Sequence, residues 1–146
     1  MIIGPAGCCC GACGPAVAPA TLTAAFTSNC SLLNGISATL PLILDTGTTR
    51  QWQTSGTIEG CPCDKWTLTV TCSLVSGVPQ WTVIFTISST TGSEDCVIVL
   101  DALSPPSVTV TSSDPVNITF TDNQIVHFGN PASSPAYCCN NVTLSI

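Results

Sequence analysis

Charged side chains are scarce in this chain, and basic ones are the scarcest. Charged residues make up 7% of its 146 residues, with Arg50 and Lys65 as the two basic residues against eight acidic ones. With two fixed cations and a net charge of −6, the chain offers almost nothing to a phosphate backbone. We therefore expect no nucleic-acid partner. The polar surface must come largely from hydroxyl groups, which 16 Ser and 21 Thr residues supply.

Long hydrophobic runs and helical periodicity are also missing. The longest apolar runs, such as 40–44 and 97–100, fall far short of the roughly 18 residues that a membrane-spanning helix needs. No segment repeats its apolar residues at helical spacing, and no glycine-rich phosphate loop opens a helix. The sequence therefore predicts neither a membrane span nor a nucleotide site of that kind.

What the sequence does have is alternation with a period of two. Leu22, Ala24 and Phe26 alternate with polar or small neighbours, and the pattern recurs over 66–72 and 81–87, which predicts strands with one buried face. Weaker alternation predicts strands at 36–44, 50–58, 95–100, 107–111, 116–121 and 140–146. Turn residues separate them at 45–47, 91–93, 104–106 and 122–123. We therefore expect an all-β fold, a single β-sandwich or jelly roll of about eight or nine antiparallel strands.

The first 19 residues differ in composition from the rest. They consist of Gly, Pro, Ala, Val and Cys after an apolar start, and Pro5, Pro15 and Pro19 exclude a continuous helix. We expect residues 1–19 to form an extended N-terminal arm and residues 20–146 to form the β-sandwich domain. Pro41 lies within a predicted strand, which places it at a sheet edge or a bulge.

Cysteine is abundant for a chain of this length. Eleven cysteines at such density indicate an oxidising, extracellular or cell-surface setting and a domain stapled by disulfides. Since eleven is odd, at least one thiol is free, modified or bonded to another molecule. We expect the N-terminal cluster to bond to the C-terminal pair, and some of the remaining cysteines to bond within the body. The candidates are Cys8, Cys9, Cys10, Cys13, Cys30, Cys61, Cys63, Cys72, Cys96, Cys138 and Cys139.

Metal and catalytic sites find little support in the sequence. Cys10 and Cys13 have the spacing of a zinc half-site, but a second pair at similar spacing is missing. His127, the single histidine, lies in an apolar strand, where a packed structural role is typical. The acidic residues fall mostly in predicted turns, where Asp bonds to the local backbone. We expect no catalytic residue, no metal and no cofactor, and therefore not an enzyme.

Two residue types suggest contacts with sugars. Asn29, Asn117 and Asn141 each begin a glycosylation sequon, and attached glycans are possible partners. Trp66 and Trp81 fall on the inward phase of their strands and are expected in the core. Trp52, flanked by two glutamines, is the candidate for an exposed sugar-binding ring.

Four features give the chain a resemblance to other proteins. These are the start Cys-Cys-Gly-Ala-Cys-Gly-Pro at 9–15, the Leu-x-Ala-x-Phe strand at 22–26, the strands Trp-Thr-Leu-Thr-Val at 66–70 and Trp-Thr-Val at 81–83, and the end Cys-Cys-Asn-Asn-Val-Thr-Leu at 138–144. The chain resembles loosely annotated small β proteins of environmental bacteria that are rich in Cys and Thr. By architecture it also resembles subunits of extracellular filaments, which implies that a terminal strand of one copy completes the sheet of the next.

These observations favour a structural subunit of an extracellular filament or surface assembly. It would polymerise as a homopolymer when a terminal donor strand or arm enters a neighbouring copy, with disulfides locking the product. The N-terminal arm is the first candidate donor, and the C-terminal strand with Val142, Leu144 and Ile146 on one face is the second. The alternative is a secreted carbohydrate-binding or phage or capsid decoration module without catalysis.

Overall fold

The structure, a computed structural model, describes residues 13–28, 34–57, 64–92, 96–100, 106–128 and 136–146. Residues 97–100, 123–128 and 136–145 are described by their backbone alone. No helix occurs in these ranges, and every strand pair is antiparallel, which confirms the all-β antiparallel prediction. The strands are β1 Thr21–Thr27, β2 Ser37–Asp45, β3 Thr49–Thr57, β4 Lys65–Val75, β5 Val78–Ser88, β6 Val97–Leu100, β7 Ser107–Ser113, β8 Val116–Phe128 and β9 Ala136–Ser145.

The strand order combines a meander with one insertion. Strands β1 to β5 pair consecutively, and β9 returns to lie between β1 and β8, which gives the order β5-β4-β3-β2-β1-β9-β8-β6. β7 and β6 lie end to end along β8, with β7 on residues 116–121 and β6 on residues 124–127. Among the described residues, β5 therefore ends the sheet on one side, and β6 and β7 end it on the other.

β2 is the strand at which the sheet bends. Its residues 37–41 pair with β1, whereas residues 42–45 pair with β3, and the register shifts between Leu42 and Leu44. Pro41 lies where the partner changes, which fits the predicted bulge and not the predicted edge, because β2 is an internal strand. A strand that exchanges partners at a bend lets one part of a sheet fold over another.

The core shows that the sheet folds back on itself. The ring of Phe26 on β1 lies 4.9 Å from that of Trp66 on β4 and 5.7 Å from that of Phe85 on β5, although β2 and β3 separate these strands in the sheet order. One cluster of buried side chains joins both parts of the sheet. It comprises Leu22, Ala24, Phe26, Ala38, Leu40, Trp52, Trp66, Leu68, Val70, Val83, Phe85, Ile87, Ile118 and Phe120.

One predicted turn is wrong, and one turn in the structure was not predicted. The turn predicted at 122–123 is wrong, because β8 continues through it to Phe128 and the Asp122 side chain is 2% exposed, inside the protein instead of in a solvated turn. The β4–β5 connection, which the sequence analysis did not single out, is a two-residue hairpin turn. Its residues Ser76 and Gly77 have φ values of 53° and 78°, as the tight turns that match strand twist require.

Gly56 on β3 is a position where packing tolerates no side chain. It lies opposite Trp66 in the β3–β4 register, and a Cβ atom there would overlap the indole ring. The indole is 4% exposed and contacts Phe26, so it has little room to move. The absence of a side chain at Gly56 is therefore part of how Trp66 enters the core.

We expect Gly56→Ala to lower the free energy of unfolding by about 1–3 kcal/mol, because overpacking displaces a core ring. Urea denaturation followed by tryptophan fluorescence measures this difference. Ser55→Ala, at the neighbouring exposed position, is the control and should change stability little. An alanine at position 56 that leaves stability unchanged would contradict the packing described here.

Candidate functional site

Residues 13–20 lie against the strands of their own chain, where one arginine binds three of their carbonyl oxygens. The Arg50 guanidinium on β3 donates hydrogen bonds to the carbonyl oxygens of Cys13 at 2.7 Å, Pro15 at 2.6 Å and Ala16 at 3.1 Å. Arg50 is 9% exposed, and its Nε lies 3.5 Å from a carboxylate oxygen of Asp45. One of the two basic residues thus binds backbone carbonyl oxygens. The predicted arm is therefore bound to the domain from residue 13 onward.

The end of this segment is fixed by Trp52. Its indole Nε1 donates to the carbonyl oxygen of Pro19 at 2.9 Å, and its ring stacks on Trp81 with centroids 6.1 Å apart. Trp52 is fully buried, so the interpretation of this ring as an exposed sugar platform is wrong. The flanking glutamines occupy the outer phase of β3, which places the residue between them on the inner face.

A disulfide fixes the start of the segment. Cys13 bonds to Cys72 on β4, with Cα atoms 5.7 Å apart. The expectation that the N-terminal cluster bonds to the C-terminal pair is wrong for Cys13, because Arg50 draws its backbone to β3 and β4, beside Cys72. Cys96 is also disulfide-bonded. The remaining candidates, Cys8, Cys9, Cys10, Cys30, Cys61 and Cys63, and the side chains of Cys138 and Cys139, lie outside the described part of the chain.

A seam runs between the terminal strands β5 and β7. At one end the strands meet, where Trp81 Nε1 donates to Ser113 Oγ at 3.1 Å. Beyond the other end of β7, a groove of about 270 Å³ lies between β5, Pro106 and β8. No strand pair joins β5 to β7 among the described residues. The groove is lined by Val83, Ile84, Phe85 and Thr86 of β5, by Pro106, and by Phe120 and Asp122 of β8. We call this region the β5–β7 seam.

The core is incompletely covered along this seam. Val108 and Val110 of β7 lie opposite Phe120 and Ile118 of β8, and therefore share the face of β8 that packs in the core. Phe120 and Ile118 are 2% and 0% exposed, whereas Val108 and Val110 are 37% and 39% exposed. Across the seam, Ile84 is 53% exposed on the outer face of β5, between the buried Val83 and Phe85. Among the described residues, Val108 and Val110 therefore lack the cover that a further strand would give them.

The outer face of β3, β4 and β5 is a hydroxyl and amide surface. Gln51 and Gln53 of β3 donate to the hydroxyl oxygens of Thr71 at 3.0 Å and Thr69 at 2.9 Å on β4. At one end of this face, a polar depression of about 340 Å³ is lined by Gln53, Thr54, Ser55, Lys65 and Thr67. The predicted hydroxyl-rich exterior is present here, and it includes Lys65.

Of the described acidic residues, Asp45 bonds to the local backbone as predicted, whereas Asp64 bonds to a residue 26 positions along the chain. Asp45 accepts a hydrogen bond from the backbone amide of Gly47 at 3.1 Å. Asp64 accepts bonds from the amide and the hydroxyl of Thr90, both at 2.7 Å, and these bonds lower the pKa of its carboxyl group. No group of three His, Cys, Asp or Glu side chains that would suit a metal occurs among the described residues. The side chain of His127 is outside them.

Of the three sequons, one can be placed with its side chain. Asn117 and Thr119 are exposed on β8, and Ile118 between them is fully buried, so the acceptor amide and the hydroxyl face solvent together. Asn29 lies outside the described residues, as does the side chain of Asn141. Glycan attachment stays a prediction.

Comparisons with family models, curated proteins and solved structures give no significant match for this chain. The resemblance to small Cys-rich and Thr-rich β proteins therefore stays a prediction. In the part of the chain that the structure describes, no helix is long and apolar enough to cross a membrane.

Sequence reasoning missed Arg50 and the β5–β7 seam. The available signal for Arg50 was the rarity of basic residues. An arginine that is retained within a strand pattern and becomes buried must bond to partner groups. The sequence held no signal for the seam. Val108 and Val110 alternate with hydroxyl residues, which is the same pattern that fully buried strand positions show.

We expect Arg50→Met to destabilise the fold, because it leaves the buried carbonyl of Cys13 without its donor, at a cost of about 1–3 kcal/mol. Hydrogen exchange should show faster exchange of the Leu42 amide, which bonds to the carbonyl of Ala20. Lys65→Met removes the same charge from the polar depression and serves as the matched control. Equal stability of the two variants would contradict the role assigned to Arg50.

Replacing Cys13 and Cys72 together with serine should lower the free energy of unfolding by roughly 4 kcal/mol, the chain-entropy value for a loop of 59 residues. Guanidinium denaturation without reductant measures the loss. Cys13→Ser alone also removes the disulfide but leaves a thiol at the buried position 72, which apolar surroundings tolerate better than a serine hydroxyl, so it should be destabilised no more than the double variant. A double variant as stable as the wild type would show that the disulfide does not contribute to the stability of the fold.

Proposed function

We propose that this protein is a structural subunit of an extracellular filament or surface assembly. In this proposal the domain is a β-sandwich that polymerises when a terminal segment of one copy enters the sheet of the next. The β5–β7 seam is the observation that carries the proposal, because it combines terminal strands with apolar side chains that no strand covers among the described residues. An added strand gains main-chain hydrogen bonds, and its alternate side chains fill the groove.

The composition supports the same function. A surface of hydroxyls and amides with few charges suits subunits that pack closely, since few charged groups must be desolvated at each contact. Disulfides such as Cys13–Cys72 suit a particle outside the cell, where reductants do not open them. A contact between a segment of one copy and the seam of another is head-to-tail and does not close, so it generates a fibre.

The β7 strand offers a matched pair of substitutions that tests this function. Val110→Lys places an ammonium group inside the seam; because Val110 is 39% exposed, the isolated subunit should tolerate it, whereas an incoming strand should not. Thr109→Lys adds the same charge at the next residue, which is exposed on the opposite face of β7. Both variants should unfold at wild-type denaturant concentrations.

We expect wild type and Thr109→Lys to form long assemblies under oxidising conditions and Val110→Lys to remain monomeric. Light scattering and negative-stain electron microscopy give the mass and length distributions. Filaments of wild-type length from Val110→Lys would overturn the seam as the acceptor. A wild-type protein that stays monomeric would overturn the assembly.

The polar depression favours the alternative, a secreted carbohydrate-binding or decoration module. Its Gln53, Ser55, Lys65 and Thr67 side chains would bond to sugar hydroxyls. A ring for stacking is missing there among the described residues, since Trp52 and Trp66 are buried and Trp81 faces Ser113. We therefore place assembly ahead of sugar binding.

A further inference from the structure

We infer that residues 1–12 of a second copy are the strand that fills the β5–β7 seam. This inference rests on the proposed function and names the segment that performs it. Three observations lead to it: where the chain is anchored, what residues 1–12 contain, and what the C-terminal strand already does.

The anchor places the start of the described chain at one end of the seam. Cys13 is bonded to Cys72, which lies opposite Trp81 of β5 in the β4–β5 register. Gly14, with φ of 89°, fits against the β7–β8 turn so closely that a Cβ atom would lie 3.1 Å from the Ser113 carbonyl oxygen. The chain therefore passes Cys13 beside the contact between Trp81 and Ser113, where the seam begins.

The composition and length of residues 1–12 suit the seam. They contain no charged side chain, so their burial desolvates none, and Met1, Ile2 and Ile3 supply apolar groups that can pack against the apolar lining of the groove. Twelve extended residues span about 40 Å, whereas the four β5 residues that line the groove extend over about 13 Å. The segment is thus about three times as long as the part of β5 that lines the groove, which leaves length for it to extend beyond its own domain.

The C-terminal strand, the other candidate donor, is already paired in its own chain. β9 lies between β1 and β8, with hydrogen-bonded partners on both sides. Ile146, which follows it, exchanges two hydrogen bonds with Ile118, at 2.8 and 3.1 Å. Donating β9 to a neighbour would separate β1 from β8, whereas donating residues 1–12 breaks none of the strand pairs described.

The test uses the full chain with a photo-crosslinking phenylalanine analogue in place of Ile3. Subunits carrying the analogue are made with ¹⁴N, mixed with ¹⁵N wild-type subunits, assembled and irradiated, and the crosslinked peptides are identified by mass spectrometry. We expect mixed-isotope crosslinks from position 3 to residues 83–86 or 106–110. The analogue in place of Thr48, in the exposed β2–β3 turn, is the control and should give no crosslinks to the seam.

The outcomes separate the inference from the function. The mixed crosslinks should be lost when the ¹⁵N subunit carries Val110→Lys and retained when it carries Thr109→Lys. This result would support both the inferred donor and the proposed assembly. Crosslinks to other regions, in assemblies that Val110→Lys still abolishes, overturn residues 1–12 as the donor and leave the seam as the acceptor. Crosslinks to the seam that join only ¹⁴N peptides would mean that residues 1–12 fill the seam of their own chain. That result would overturn both the donor from a second copy and the filament.

Discussion

The hydrogen bonds from the Arg50 guanidinium to three backbone carbonyls are the interaction on which this structure depends. They bring residues 13–20 onto β3 and β4, which allows Cys13 to meet Cys72 and Pro19 to accept from Trp52. The planar guanidinium suits this task because its several donors have a fixed geometry, and lysine would bring a single point of charge. A segment with no regular secondary structure thereby becomes part of the domain.

The same segment joins two parts of the fold that the sheet order separates. Through Gly14 it contacts the β7–β8 turn, while Arg50 and Cys72 belong to β3 and β4. β5 and β7 are thus held together at the end where Trp81 meets Ser113, and they remain apart where Val108 and Val110 are exposed. The seam therefore has a closed end and an open end.

Strong alternation was sufficient to predict β1, β4 and β5, because their inward positions hold large apolar residues and their outer positions hold mostly hydroxyls. Local signals failed where distant parts of the chain decide. Asp122 resembles a turn residue, yet it is buried in the middle of β8. Trp52 is buried although the glutamines on either side of it lie on the outer face of β3. The partner of Cys13 depends on Arg50, 37 residues away, and the seam depends on where two sheet margins end, so no local pattern encodes either.

The scarcity of basic residues, of which Arg50 is one, also governs how the molecule responds to acid. Protonation of all eight carboxylates leaves at most Arg50, Lys65 and His127 as cationic side chains, and the first of these is already enclosed by carbonyl oxygens. Proteins usually swell at low pH because many positive charges repel one another, and here too few exist to drive that expansion. Acidification toward the isoelectric point near 4.1 instead removes the mutual repulsion between neighbouring particles. Low pH should therefore cause folded domains to associate, whereas it would unfold a lysine-rich protein.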